Sequence, residues 1–173
     1  DSIYLVETIK DIKELNFHED DKIAYVTQTT LSVDDTHDMI AELRNKFPNI
    51  ESSPKEDICY ATSNRQNAIK EYANKCDAFI VVGSKNSSNS NRLVEVAKNA
   101  GCFNSYLLEN AESLNVSNYS SYNTIGISSG ASVPEVLVEN VISKFQENYS
   151  LEIENVSLGE ENVQFKLPKE VRN

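Results

Sequence analysis

The chain has 173 residues, with 16 Lys plus Arg against 27 Asp plus Glu for a formal charge of −11, and is 39% hydrophobic and 25% charged. Those values fit a soluble globular chain able to bury one core, and no run approaches a membrane span or opens as a secretory leader. The acidic balance works against sequence-independent nucleic-acid binding, which needs a basic footprint. Three cysteines, Cys59, Cys76 and Cys102, without CxxC spacing suit a reducing cytoplasm better than a disulfide framework or a zinc knuckle.

The chain begins with a short apolar run, Ile3–Val6, and a weak helical pattern through Ile9, Ile12 and Leu15. His18 lies among Glu19, Asp20 and Asp21 and reads as part of a solvated turn. A strand over Ile23–Val26 leads into Thr27-Gln28-Thr29-Thr30-Leu31. Ser32 with Asp35 three residues on then has the form of a capping box. The helix that follows carries Thr36, Ile40, Leu43 and Phe47 on one face and stops near Pro48, with His37 off that stripe. The polar stretch 49–56 is the best boundary in the chain, dividing a unit over 1–56 from one over 57–150, with a tail over 151–173. Ile58–Ala61 reads as a short strand delivering Thr62, Ser63 and Asn64 to a helix, whose inner face is Ala68, Ile69, Tyr72, Ala73 and Cys76.

Ala78–Val82 is a continuous apolar run that passes through Gly83 into Ser84–Asn91, where seven of eight residues carry a hydroxyl or a carboxamide. Leu93, Val96, Ala97 and Ala100 recur at helical spacing, and Gly101 suits a left-handed cap. A strand–loop–helix of this kind aims backbone N–H groups and the helix dipole at the loop, a natural cradle for phosphate or diphosphate. Ser and Asn also cap helices and form turns. Further strands are expected at Ser105–Leu108 and Thr124–Ile127, with a short helical turn around Ala111–Leu114. Ser132 and Glu135 make a second capping-box candidate, before a helix striped by Leu137, Val141 and Phe145. Leu151–Pro168 alternates loosely, as a terminal hairpin or edge ribbon would.

Strands alternating with helices imply an α/β fold with parallel strands and right-handed crossovers. Ligands then bind beyond the strands' carboxyl ends, where the loops at Thr29, Thr62, Ser87 and Ser132 would converge. Cys59, at the end of its expected strand, would face that site. As a nucleophile it lacks an evident histidine partner, and as a metal ligand it lacks companions in this chain; a buried structural thiol is the alternative.

Four groups of residues together resemble the 4-hydroxy-3-methylbut-2-enyl diphosphate reductase family, the iron–sulfur enzymes that finish the non-mevalonate isoprenoid pathway. They are Thr27–Thr36, Asp57–Thr62 with Asn64-Arg65-Gln66, Val82–Leu93, and Gly130-Ala131-Ser132 with Pro134. The likeness runs from about Tyr4 to Leu167–Glu170. It implies a trefoil of three α/β units, of which this chain would be the end of the second and all of the third. It further implies that Cys59 is one of three cysteine ligands of a [4Fe–4S] cluster. Ser87, Ser88, Asn89 and Ser132 would hold the substrate's diphosphate, and Thr29 would position its hydroxyl and relay a proton. The substrate is then an allylic diphosphate, dehydroxylated to isopentenyl and dimethylallyl diphosphates with electrons from ferredoxin or flavodoxin. The family's other two cluster cysteines, its diphosphate-binding histidines and its catalytic glutamate match no segment here. This chain alone is therefore expected to hold no cluster and to be inactive. A cluster-free diphosphate-binding module or paralogue is the alternative, and a structural part of a longer fusion a third reading.

Overall fold

The computed structural model describes residues 2–18, 20–52 and 58–158. Its first helix, α1 (Ile9–Glu14), starts at a reciprocal cap that the sequence reading missed. Thr8 Oγ1 accepts from the Asp11 N–H, and the Asp11 carboxylate accepts from the Thr8 N–H at 2.8 Å. Strand β1 (Ala24–Tyr25) leads to α2 (Val33–Lys46), and β2 (Glu51–Ser52) returns to pair with β1 in parallel. Lys46, in the last turn of α2, donates to the carbonyls of Ile12, Lys13 and Leu15 at 2.6–3.0 Å and so satisfies the open end of α1.

The second part runs α3 (Tyr60–Tyr72), β3 (Ala78–Val82), α4 (Ser88–Asn99), β4 (Ser105–Leu108), β5 (Ile125–Ser129) and α5 (Glu135–Gln146), with 3-10 turns at Ala111–Ser113 and Val116–Tyr119. The strands form a parallel sheet in the order β4-β3-β5. All five residues of β3 are buried, as a central parallel strand covered on both faces requires. Phe79 and Val81 face Ile69 of α3 and Leu93, Val96 and Ala97 of α4. Ile80 and Val82 face Leu108, Leu114, Val116 and, on α5, Val141 and Phe145. The connection after β3 therefore runs over one face and the one after β5 over the other. The crevice where two neighbouring strands part in this way, the usual ligand position in such sheets, lies between the ends of β3 and β5.

The α/β class and the strands at Ala78–Val82 and Ser105–Leu108 agree with the sequence reading, as does the left-handed Gly101, at φ 107°. Three expectations are corrected. Ile58–Ala61 is no strand: α3 starts at Tyr60, with Cys59 as its N-cap. The buried stripe Thr62, Gln66, Ile69, Ala73 has helical period, and its first members are polar, so only the apolar run stood out. Ser132 does not cap α5, because Pro134 holds the N-cap position without a side-chain bond. Residues 151–158 form no strand, and the rest of the expected hairpin lies outside the described residues.

Asp77 ties the sheet together at the entry to β3. Its carboxylate accepts from the N–H groups of Thr124 and Asn123 at 3.0 and 2.8 Å, which hold its pKa below the ordinary carboxylate value. A carboxyl depressed in the folded state adds stability above its unfolded pKa of about 3.9 and loses it as pH falls through the lower folded value. Asp77→Asn is thus expected to be less stable than the parent near neutral pH, with the gap closing in acid. Urea unfolding of both proteins across a pH series checks this.

Candidate functional site

The loop after β1 is a turn in which the Leu31 N–H reaches the Gln28 carbonyl at 3.5 Å, placing the exposed Thr29 at its corner. Four bonds fix that turn. Ser32 Oγ accepts from the Asp35 N–H and caps α2. The Cys59 N–H donates to the Thr29 carbonyl at 3.1 Å. Gln66 Nε2 donates to the Leu31 carbonyl at 2.8 Å, while its Oε1 accepts from the Val33 N–H at 3.0 Å. Thr29 and Cys59 are thereby neighbours through the backbone. The Cys59 side chain is exposed, at the positive end of the α3 dipole.

A second pair of loops meets at the crevice between β3 and β5. Ser87 caps α4: its Oγ accepts from the Ser90 N–H at 3.2 Å and from Ser90 Oγ at 3.0 Å. Asn91 Nδ2 pins the carbonyls of Lys85 and Ser87, and Asn86 N–H donates to Ser84 Oγ. With Ser87 Oγ taking the N–H of Ser90, those of Ser88 and Asn89 lack an intrahelical acceptor. The Gly130 N–H donates to the Val82 carbonyl at 3.0 Å, drawing the loop of Ser132 alongside. Ser90, fully buried, packs so close to Gly83 and Gly130 that a Cβ at either would collide with its side chain. Ser88 and Ser132 are exposed at this mouth, and Asn89 is only 7% exposed. Among the described residues, Asn89 Oδ1 is the one buried side-chain polar atom without a partner. A carboxamide can turn over to present Nδ2 instead, so this end of Asn89 can serve an anionic oxygen. Leaving it unpaired costs about 1–3 kcal/mol, which a ligand would recover.

The two pairs of loops are held in one body by α3 packing on α4, by Arg92 of α4 reaching Asp35 at 3.4 Å and by Lys70 of α3 reaching Asp34 at 2.7 Å. The bonds and contacts among the described residues join the loops two by two, and Thr62 lies inside α3 rather than in a loop. A crevice of 220 Å³ between the start of α2 and the helices α3 and α4 is no competing anion site, since its Lys70 is already engaged by Asp34.

The sequence model of LytB protein matches residues 1–146. The chain belongs to the LytB family. It is 48% identical over 171 residues to the 4-hydroxy-3-methylbut-2-enyl diphosphate reductase of Methylocella silvestris, covering 99% of this chain and 54% of that protein. The Pseudomonas fluorescens protein of the same name is 50% identical, again over 99% of this chain and 54% of its own length. Among solved structures, the E-1-hydroxy-2-methyl-but-2-enyl-4-diphosphate reductase from Plasmodium falciparum superposes with a TM-score of 0.83 at 38% identity, over 96% of this chain and 53% of that one. The chain thus spans about half the length of the LytB relatives it matches.

An iron–sulfur cluster, implied by the resemblance, would need several thiolates. Cys59 alone offers an accessible sulfur. Cys102 is buried, and Cys76 is half-buried, its pKa raised by burial, then by the neighbouring Cys102 and Asp77. No group of three or more His, Cys, Asp or Glu able to hold a metal occurs among the described residues. Cys59 fits one ligand position, and the described residues do not complete the set. His18 and His37 are both exposed, as expected of solvated residues. No described helix is long and apolar enough to cross a membrane. The sequence reading quoted Gln66 and Ser90 only as parts of the family motifs and gave neither a role, since the local signal was only a polar residue in register with an apolar helical stripe.

The Ser90 packing gives a sharp test. Gly130→Ala is expected to destabilise by about 1–3 kcal/mol through overpacking. In a Ser90→Ala background, which removes the colliding hydroxyl, the nearest remaining atom is Val133 Cγ2 at 3.3 Å. The double variant should therefore lose less than the sum of the single losses, as a denaturation cycle would measure.

Proposed function

We propose that this chain is the C-terminal part of a 4-hydroxy-3-methylbut-2-enyl diphosphate reductase, the end of the second and the whole third unit of a trefoil, acting in the cytoplasm. In the complete enzyme the allylic C–O bond is cleaved. The hydroxyl leaves as water, and two electrons and two protons enter to give isopentenyl or dimethylallyl diphosphate. Ferredoxin or flavodoxin supplies the electrons.

On this reading Ser87, Ser88, Asn89 and Ser132 hold the diphosphate through hydroxyl, carboxamide and first-turn N–H groups at the start of α4, where the dipole favours an anion. Thr29 holds the substrate hydroxyl and passes a proton through its Oγ1. Cys59 supplies one thiolate to a [4Fe–4S] cluster, which when bound contributes electrons and Lewis acidity toward the departing oxygen. The other ligands would come from the part of the relatives that this chain does not cover. The observation that carries the reading is the unpaired, buried Oδ1 of Asn89 in the first turn of α4.

In the complete reductase Asn89→Ala is expected to weaken binding of the allylic diphosphate and of pyrophosphate by roughly 10- to 100-fold, the worth of one hydrogen bond to a charged group. Calorimetry checks this, and unchanged affinity would count against the cradle.

The second reading, a cluster-free diphosphate-binding module, is favoured by one contrast: this chain's loops bring together several neutral donors for a diphosphate, whereas it offers a single accessible thiol for a cluster. This chain alone, reconstituted anaerobically with iron and sulfide, is expected to retain no stable cluster. Iron content measured beside pyrophosphate calorimetry separates the readings. Pyrophosphate binding by the native full-length protein in the absence of iron would favour the module.

A further inference from the structure

We infer that Gln66 is a positioning residue of the reductase, setting the loop that carries Thr29 in register with the helix that begins at Cys59. The inference rests on the proposed roles of those two residues. Gln66 stands seven residues after Cys59, two turns along the same face of α3, and is fully buried. Glutamine is seldom buried so completely unless both ends of its amide are bonded. Here they are, and both bonds go to one loop. Nε2 donates to the Leu31 carbonyl, the last residue of the Gln28–Leu31 turn. Oε1 accepts from the Val33 N–H, one of the α2 donors that no intrahelical carbonyl can reach. Ser32 Oγ caps the third residue of α2 locally, and Gln66 caps its first from a neighbouring helix. Two residues before Leu31, the Thr29 carbonyl accepts from the Cys59 N–H. The turn is thus attached to α3 at both ends of one stripe, at Cys59 and at Gln66.

A side chain shorter by one methylene, or one lacking either the donor or the acceptor, frees the turn to shift along α3. Thr29 then moves relative to Cys59. The cradle at Ser87–Asn89 and Ser132 stands on other strands, so Gln66 should matter to the reacting end of the substrate and not to its diphosphate. The outer contacts between the same elements, Lys70 with Asp34 and Arg92 with Asp35, are partly exposed ion pairs and cannot substitute for a two-point amide bridge.

The test uses the full-length, cluster-loaded reductase. Gln66→Met keeps the length of the side chain and removes both bonds. It is expected to lower kcat by on the order of 10- to 100-fold, as a small misplacement of a reacting group does, with iron per chain and the pyrophosphate inhibition constant within about twofold of the parent. Gln66→Glu loses only the donor, and a protonated carboxyl restores it. The charged groups that link the elements packed there are Asp34 and Asp35 on α2, Lys70 on α3 and Arg92 on α4. Relative to the parent, this variant should regain kcat as pH is lowered from about 8 to about 6, because burial raises the introduced carboxyl's pKa. If Gln66→Met does not accumulate, the pH-dependent recovery decides. A folded Gln66→Met enzyme with parental kcat overturns the inference. So does a parallel loss of kcat, iron and pyrophosphate binding, which would mean Gln66 serves the fold at large. A parent that neither binds pyrophosphate nor turns over the allylic diphosphate would instead sink the functional reading itself.

Discussion

The mouth of the crevice depends on one close approach, that of two glycine-bearing loops to the side chain of Ser90. Gly83 follows β3 and Gly130 follows β5, and both lack the Cβ that would strike Ser90. With any larger residue at either position the ends of the two strands would have to part, or α4 would have to withdraw. Ser90 fills the space, and its hydroxyl donates to Ser87 Oγ, the N-cap of α4. Packing at the sheet therefore sets where the first turn of α4 points and where Ser88 and Asn89 present their N–H groups. The apolar core of β3 fixes the strands, and the serine transmits that position to the loop.

Two buried carboxamides on neighbouring helices are used in opposite ways. Gln66 has both ends bonded to backbone, so it contributes order without exacting an unpaired group. Asn89 is nearly as buried and has one end without a partner. A net hydrogen bond gains about 0.5–1.5 kcal/mol, whereas an unsatisfied buried group costs about 1–3 kcal/mol. That asymmetry separates an amide whose bonds are complete from one that still lacks a partner. Applied to the surface pairs, the same scale puts Lys70–Asp34 and Arg92–Asp35 at about 0–1 kcal/mol each. Those ion pairs orient helices that the core and Gln66 already hold.

The sequence was legible where hydrophobic period and polar loops reinforced one another. Ala78–Val82, Ser105–Leu108, the stripe of α4 and its Gly101 stop were all readable, because apolar residues alone define a central strand and an amphipathic helix. The Ser- and Asn-rich loop was readable as a helix entry, since Ser87 caps α4 by local bonding. The start of α3 was not, because Ile58–Ala61 is a four-residue apolar run whose period cannot be judged, and the next inward positions, Thr62 and Gln66, are polar. Strand β2 was missed for a related reason: Glu51 and Ser52 are exposed, and their pairing to β1 is decided by a neighbour far off in sequence. The pairing of Thr29 with Cys59 through a backbone bond likewise belongs to tertiary structure.

A formal charge of −11 sets a global field against the diphosphate proposed for the Ser84–Asn91 loop. The magnitudes show that this field is no bar to the proposal. A unit charge about 10 Å away through water contributes about 0.4 kcal/mol before screening, and salt at physiological strength screens over about 8 Å. Each hydrogen bond to a charged oxygen contributes about 1.5–3 kcal/mol. Lys85, the one cation in the Ser84–Asn91 loop, lies 3.8 Å from Glu109, so the proposed cradle would rely on hydroxyl, carboxamide and backbone donors. Such donors recognise a phosphate by direction as well as by charge. Rigidity then matters more than net charge, and the rigid parts are a capped helix start, a serine wedged between two glycines and a turn tied down by Gln66.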